Sequence, residues 1–539
     1  MSTRRLRGGR VFDPANGIAG EVRDVVMRDG RIAELDPRAA VDEEIDASGC
    51  IVLAGGIDLH SHIGGGKVNL ARLLLPRHQC TPSALATGRH YAEMGYTSVF
   101  EPAMAASDAR QAHLQMGDVP IVDHGAYVML GNDETLLELL AQGADPQLVR
   151  DYVGWVVHAT KALGVKVVNP AGISAFKFNQ RKLDVDEAHV HWGVTPRQVI
   201  RALARAVHDL GLAHPLHIHC SNLGVAGNIA STLATMDALE GLPGHLTHVQ
   251  FHSYGTEGPH KFSSAALELA EALDAHPNCS IDIGQVLFGQ TVTASADTMR
   301  QYANVDFASP HKAVLADLDG DSGCGVLPFR YREQSYVNAL QWSIGLELFL
   351  QVRDPWRVVL TTDHPNGAPF TSYPHLMRLL MNKPFRDEQL ARLHPEVAEQ
   401  SALKHITREL SLEEIATMTR AAPARLLGLR DRGHLGPGAA ADVAVYREQG
   451  NAEVMFAHAA WVYKDGEPVV RDGEVRASPV GATHFAEVQF DAGVQRLLDA
   501  RGDAPLGLHR HHAVIGRDEL CACCNGGRLF AWACEPRSP

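Results

Sequence analysis

Gly55-Gly-Ile-Asp-Leu-His60-Ser-His62 is an apolar run that ends in His-x-His. On a strand, residues i and i+2 point to the same side, so two imidazoles can reach one cation; neutral imidazole ligates Zn²⁺ at about 2.0–2.1 Å. Four later runs offer complementary donors. Lys177, in Ala175-Phe-Lys-Phe-Asn179, reads as a lysine inside an apolar strand, where an ammonium is costly unless paired or chemically changed. Carbamylation by CO₂ would convert it to a carboxylate able to bridge two metals; the alternative is a snorkelling lysine or one paired with a buried acid. His219 closes Leu216-His-Ile-His, with His217 on the same face as a competitor. His248 ends Leu246-Thr-His-Val, with His245 and His252 as competitors, and Asp363 closes Val359-Leu-Thr-Thr-Asp, as a ligand and base or as a helix N-cap.

The elements that must position these groups alternate. Apolar runs at Thr97–Phe100, Gly172–Phe176, Pro215–His219, Leu246–Val249 and Arg357–Thr361 are separated by stretches of helical period, such as Thr195–Leu210, Ser264–His276 and Ser411–Leu427. Strand-helix alternation over about 370 residues predicts an α/β fold, a (β/α)₈ barrel of the TIM type, with chemistry at the carboxyl ends of its strands. A doubly wound open sheet is the alternative, but no Gly-rich phosphate turn opens any unit. Short strands with an Asp29-Gly30 hairpin signal open the chain, and Ala441–Tyr446 and Trp461–Gly473 supply matching strands downstream. Both chain ends are therefore expected to build one small β-sandwich from residues 1–54 and 429–480, around a barrel at 55–428. Residues at about 285–340 break the rhythm and read as an insertion at the barrel mouth. Asp317, Asp319 and Asp321 within it mimic part of a calcium loop that lacks its closing Glu.

Composition excludes several classes. With 49 basic and 63 acidic residues, the net charge of −14 opposes nucleic-acid binding. No apolar run approaches the roughly 20 residues of a membrane span, and the N-terminus lacks an apolar signal core, so a cytoplasmic location is expected. Five of the nine cysteines, Cys50, Cys80, Cys220, Cys279 and Cys324, are scattered singly. Cys521, Cys523, Cys524 and Cys534 cluster in a tail at 481–539, as a metal site, as free thiols or as a segment contacting another subunit.

The order Gly-Gly-x-Asp-x-His-x-His, followed by Lys, His, His and Asp on later strand ends, resembles the amidohydrolase superfamily of binuclear barrels over nearly the whole chain. His62-Ile-Gly-Gly-Gly-Lys-Val-Asn69, Gly164-Val-Lys-Val-Val-Asn-Pro-Ala-Gly172, Asn222-Leu-Gly-Val-Ala-Gly-Asn228, His248-Val-Gln-Phe-His-Ser-Tyr-Gly255 and Thr362-Asp-His-Pro-Asn-Gly-Ala-Pro-Phe370 narrow it. They resemble the A-type catalytic subunits of formylmethanofuran dehydrogenase and formyltransferase/hydrolase complexes. The resemblance implies two Zn²⁺ ions, with His60, His62 and Asp363 on the first, His219 and His248 on the second, and carbamylated Lys177 bridging them. Asp363 would also shuttle the proton, and Lys67, Asn222 and His364 are candidates for binding substrate. The implied reaction is hydrolysis of a formyl-methanofuran-type formamide to formate and free carrier amine, in a hetero-oligomer with a formyltransferase subunit. Competing readings are condensation of formate onto the carrier in a dehydrogenase complex, a generic cyclic-amide or N-acyl amino acid hydrolase, and a barrel that has lost its metals and serves as a scaffold.

Overall fold

A computed structural model describes residues 3–34, 41–74, 80–180, 182–295, 325–501 and 513–537. Eight parallel strands form its centre: β1 (Gly56–Asp58), β2 (Tyr96–Met104), β3 (Asp123–Met129), β4 (Gly164–Val168), β5 (Leu216–His219), β6 (Gly244–Leu246), β7 (Cys279–Asp282) and β8 (Val358–Val359). Each pairs with the next in chain order. A parallel bridge between Ser61 and His364, just past β1 and β8, brings the two edges of this curled sheet together. The strands are buried along nearly their whole length, so they read as continuous apolar runs rather than alternating ones.

Helices cover the outside, and their ends follow local chemistry. Pro196–Asp209 starts at Thr195, whose hydroxyl accepts from the Gln198 amide while the Gln198 side chain reaches back in a capping box. The segment Ser411–Leu427 is helical but not uniform, because Leu412–Ala416 and Ala422–Leu427 flank a π-helical turn at Thr417–Ala421.

One predicted strand is a helix. Residues Gly172–Lys177, expected as a strand carrying Lys177, form a short helix, and the strand lies upstream at Gly164–Val168. The short, mostly apolar run Ile-Ser-Ala-Phe fits a strand and a helical turn equally well, an ambiguity inherent to short apolar runs. The preceding residues decide it: Asn169 and Ala171 take positive φ values of 42° and 57° on either side of Pro170, which ends the strand. The lysine carried by the barrel strand is thus Lys166, flanked by β-branched Val165, Val167 and Val168.

The chain ends meet in a nine-stranded sheet, in which Val443–Arg447 pairs antiparallel with Cys50–Ala54 and the latter runs parallel to Thr3–Asp13. Leu6, Val25, Met27, Val52, Val443 and Val445 bury a core of its own. Within the insertion, Gly289–Ser295 and Gly325–Tyr331 form an antiparallel pair; Asp317, Asp319 and Asp321 lie outside the described residues. The tail adds strands to the central sheet: Thr483–Glu487 joins β3 at Thr483 and pairs in parallel with Leu529–Ala533. No described helix is long and apolar enough to cross a membrane.

Candidate metal centre

Three carboxylates, Asp363, Glu101 and Asp282, hold four histidines, His60, His62, His245 and His248, at and just below the carboxyl ends of the strands. His60 and His62 follow β1, and both Nε2 atoms face one oxygen of Asp363: His60 Nε2 lies 3.0 Å and His62 Nε2 3.5 Å from Asp363 Oδ1. Each opposite ring nitrogen is tied to a different acid. His62 Nδ1 donates to Glu101 Oε1 on β2 at 2.9 Å, and Glu101 Oε2 accepts the amides of Ile63 and Gly64 at 2.7 and 3.1 Å. His60 Nδ1 faces Asp282 Oδ2 on β7 at 3.2 Å. A histidine that donates through Nδ1 carries a bare lone pair on Nε2, and two such lone pairs converging on a carboxylate oxygen make a place suited to a cation. Consistent with this, His60 Nε2 is buried and makes no hydrogen bond despite its closeness to Asp363.

Asp282 is the hub beneath the site. Its Oδ2 also faces His245 Nε2 at 3.1 Å and the Thr247 hydroxyl at 2.6 Å, while Oδ1 accepts the His248 amide at 3.0 Å and the Thr361 hydroxyl at 2.7 Å. Burial pushes its pKa up, but His60 and His245 outweigh this and hold the carboxyl well below the usual range. Glu101 behaves similarly, with burial raising and His62 lowering its pKa to a net decrease.

A second group stands beside the first. His219 at the end of β5, His248 just past β6, and His252 present nitrogens that all lie within 4.8 Å of one another. The His219 and His248 rings are 4.5 Å apart, and the His248 ring is 5.5 Å from His60. Burial pushes the His248 pKa down to about 3, so its imidazole is neutral and available to a metal. The alternatives His217 and His245 point below this layer. His217 Nε2 faces His60 Nδ1 at 3.1 Å and its Nδ1 faces His214 at 3.0 Å, while His245 sits between Ser280 and Asp282.

Local backbone strain marks these positions. His248 and Asp363 both adopt positive φ, 37° and 49°, a conformation that costs a non-glycine residue roughly 1–2 kcal/mol. Gly284, at φ +64°, makes room for the first of them: a Cβ there would meet the His248 Cβ at 2.4 Å.

Lys166 completes the interior. It is 2% exposed, and burial, assisted by nearby Lys67 and opposed by Asp363, Asp282 and Glu101, lowers its pKa to about 8. Lys67 is buried as well, with its Nζ 3.6 Å from Met129 Sδ. Asn222 does not face the histidines; its amide holds Asp184 and Ser231 at 2.9 and 2.6 Å. The His364 ring accepts the Phe370 amide at 3.2 Å, and its backbone oxygen accepts the His62 amide at 2.9 Å, so it braces the site. Lys177 ends its helix, and its side chain lies outside those described. Among the described residues no cysteine belongs to a group able to hold a metal, and Cys524 instead receives a hydrogen bond from Thr483.

Sequence reasoning missed Lys166, Glu101 and Asp282 as site residues. The signal was there, since each is a charged residue inside or ending a buried strand.

The chain is similar to known proteins over nearly its whole length. Residues 43–477 match the profile of the Amidohydrolase family. The chain is 46% identical to the A-type subunit of the formyltransferase/hydrolase complex Fhc of Methylorubrum extorquens, covering 92% of this chain and 93% of that protein. It is 38% identical to Protein FwdA of Methanocaldococcus jannaschii, over 94% and 95% of the two chains. Among solved structures, a chain of the formyltransferase/hydrolase complex (FhcABCD) from Methylorubrum extorquens in complex with methylofuran superposes with a TM-score of 0.93 at 43% identity. That match covers 99% of this chain and all of that one.

Proposed function

Because the chain belongs to the amidohydrolase family, and is thereby a hydrolytic enzyme, we propose that it cleaves the formamide of a formylated methanofuran-type carrier to formate and the free carrier amine. The observation that carries this reading is the likeness, over 99% of the chain, to one chain of a complex that binds methylofuran. By the same likeness the chain works inside a hetero-oligomer that includes a formyltransferase subunit. We assign residues 55–428 to the catalytic unit and the chain-end sheet to a supporting domain.

The donor set suits two divalent ions, zinc among them: His60, His62 and Asp363 for one, His219 and His248 for the other. When bound, such ions supply Lewis acidity, which polarises the formyl oxygen and acidifies water toward neutrality. The bridging role moves from Lys177 to Lys166. A buried amine with a pKa near 8 retains a neutral fraction near pH 7, and its nitrogen lone pair can add to CO₂, forming the carbamate and releasing one proton. The carbamate then carries a negative charge where an ammonium would face two cations.

Within that centre, Asp363 accepts the proton of the attacking water and returns it to the carrier nitrogen as the C–N bond breaks. Despite its burial the Asp363 carboxyl lies well below the usual carboxylate range, so it is ionised at neutral pH and ready for the first half of this exchange. Lys67, buried and near enough to Lys166 to lower its pKa, is the group we assign to binding the developing formate. The test is formate release from N-formylated furfurylamine carriers, compared with hydantoin, dihydroorotate and N-formyl amino acids. Turnover of the cyclic amides with none of the formylated carriers would overturn the proposal.

A further inference from the structure

His252 lies four residues past His248, at the end of the 3₁₀ turn Val249–His252. The left-handed His248 reverses the chain, and the turn brings the second ring back over the first, with centroids 5.3 Å apart and planes inclined by 25°. The His219 ring lies 5.2 Å from that of His252, nearly edge-on to it. Several bonds hold this turn: the Phe251 amide donates to the His248 oxygen at 3.0 Å, the Ser253 hydroxyl to the Val249 oxygen at 2.7 Å, and the Thr232 hydroxyl to the His252 oxygen at 2.7 Å. The ring itself is fully buried, yet neither of its nitrogens has a hydrogen-bond partner of acceptable geometry. A nitrogen stranded in that way costs on the order of 1–3 kcal/mol, a penalty that an apolar side chain of similar volume would avoid.

We infer that His252 is a third imidazole ligand of the second metal ion, beside His219 and His248. The inference rests on the binuclear reading above and extends it. Its consequence is a difference in how the two ions are held. Three neutral imidazoles form a recurrent zinc-binding set on their own, so the second ion does not depend on the bridging lysine. The first ion is held by two histidines and the Asp363 carboxylate, a donor set that is charged where the second is neutral.

The test uses the full-length protein, stripped of metal and titrated with Zn²⁺ and Co²⁺. The unaltered chain takes up two ions. His252→Phe, which keeps the ring and loses the nitrogens, should weaken the second ion at least about 100-fold, the upper end of what loss of even an outer partner costs. Lys166→Ala should keep the second ion, and the double variant Lys166→Ala/His252→Phe should bind it at least about 100-fold more weakly than Lys166→Ala does. His252→Phe binding two ions with unchanged affinity would overturn the assignment while leaving the binuclear reading intact. Fewer than two ions on the unaltered chain would overturn both. Should the Phe variant fail to fold, a crystal structure of the zinc-loaded unaltered protein decides the matter. A His252 nitrogen at about 2.0–2.1 Å from the second ion supports the inference, and one beyond about 3 Å refutes it.

Discussion

Glu101→Gln is a near-isosteric change whose cost follows from counting donors. The Glu101 carboxylate faces four of them: His62 Nδ1 at 2.9 Å and the Ala103 amide at 3.0 Å on one oxygen, and the Ile63 and Gly64 amides at 2.7 and 3.1 Å on the other. A carboxamide has one accepting oxygen and one NH₂, so in either orientation the NH₂ points at two groups that were donors. If it turns toward the Ile63 and Gly64 amides, both are left buried and unpaired at about 1–3 kcal/mol each, or roughly 4 kcal/mol of stability at mid-range. If it turns toward His62, it donates to Nδ1, and the imidazole must carry its proton on Nε2, the atom that faces Asp363. That tautomer cannot bind a cation. Loss of such an outer partner lowers metal affinity by about 10–100-fold, equivalent to about 1.4–2.7 kcal/mol at 1.36 kcal/mol per tenfold. Chelator competition reads the affinity, and thermal unfolding of the metal-free protein reads the stability. A Glu101→Gln protein with unaltered metal affinity and melting temperature would refute the claim that this carboxylate sets the His62 tautomer.

Lys166→Ala should lower formate release at least about 100-fold, and acetate or propionate added in bulk should restore part of it by occupying the bridging position. Lys177→Ala should stay within about twofold of the unaltered enzyme, and the reverse ranking of the two variants would return the bridge to Lys177. Asp123, buried against Lys464 at 3.0 Å and Arg432 at 2.8 Å, ties the barrel to the chain-end sheet. Burial raises its pKa, but those two cations and His484 lower it further, to well below the ordinary 3.8. A depressed carboxylate pKa stabilises the fold above the unfolded value, and that contribution is lost as pH falls through the folded value. Asp123→Asn should therefore cost about 3–5 kcal/mol near neutrality. Its melting temperature should converge with that of the unaltered protein only in strong acid, and an equal deficit at every pH would refute the electrostatic account.

What the sequence disclosed was determined by how local the relevant physics is. His60, His62, His219, His248 and Asp363 stood out because a ligand after an apolar run needs only its own strand to be aimed at the mouth, and the structure brings all five together. Five of the eight parallel strands, β1, β2, β5, β6 and β8, were readable for the same reason, since strand and helix periods are properties of short windows, whereas β3, β4 and β7 were not singled out. Lys166 escaped notice because two lysines sat in apolar company, and choosing between them required knowing where β4 stops. Backbone breaks at Asn169 and Ala171, rather than hydrophobicity, settle that point. Glu101 and Asp282 were hidden for a different reason. Each acts on a histidine far away in the chain, 39 residues from His62 and 222 from His60, and no spacing rule links acids to rings across strands that meet only on folding. The same separation explains how the strained backbone at His248 and Asp363 persists. Asp282 accepts the His248 amide, Asn366 donates both its own amide to the Asp363 carbonyl and its side chain to the Asp363 carboxylate, and Gly284 leaves the space. Strain of that kind survives only where surrounding contacts over-determine the geometry. These two positions are among those from which the metal-binding groups would be presented, so the strain is a cost met by the same partners that orient the site.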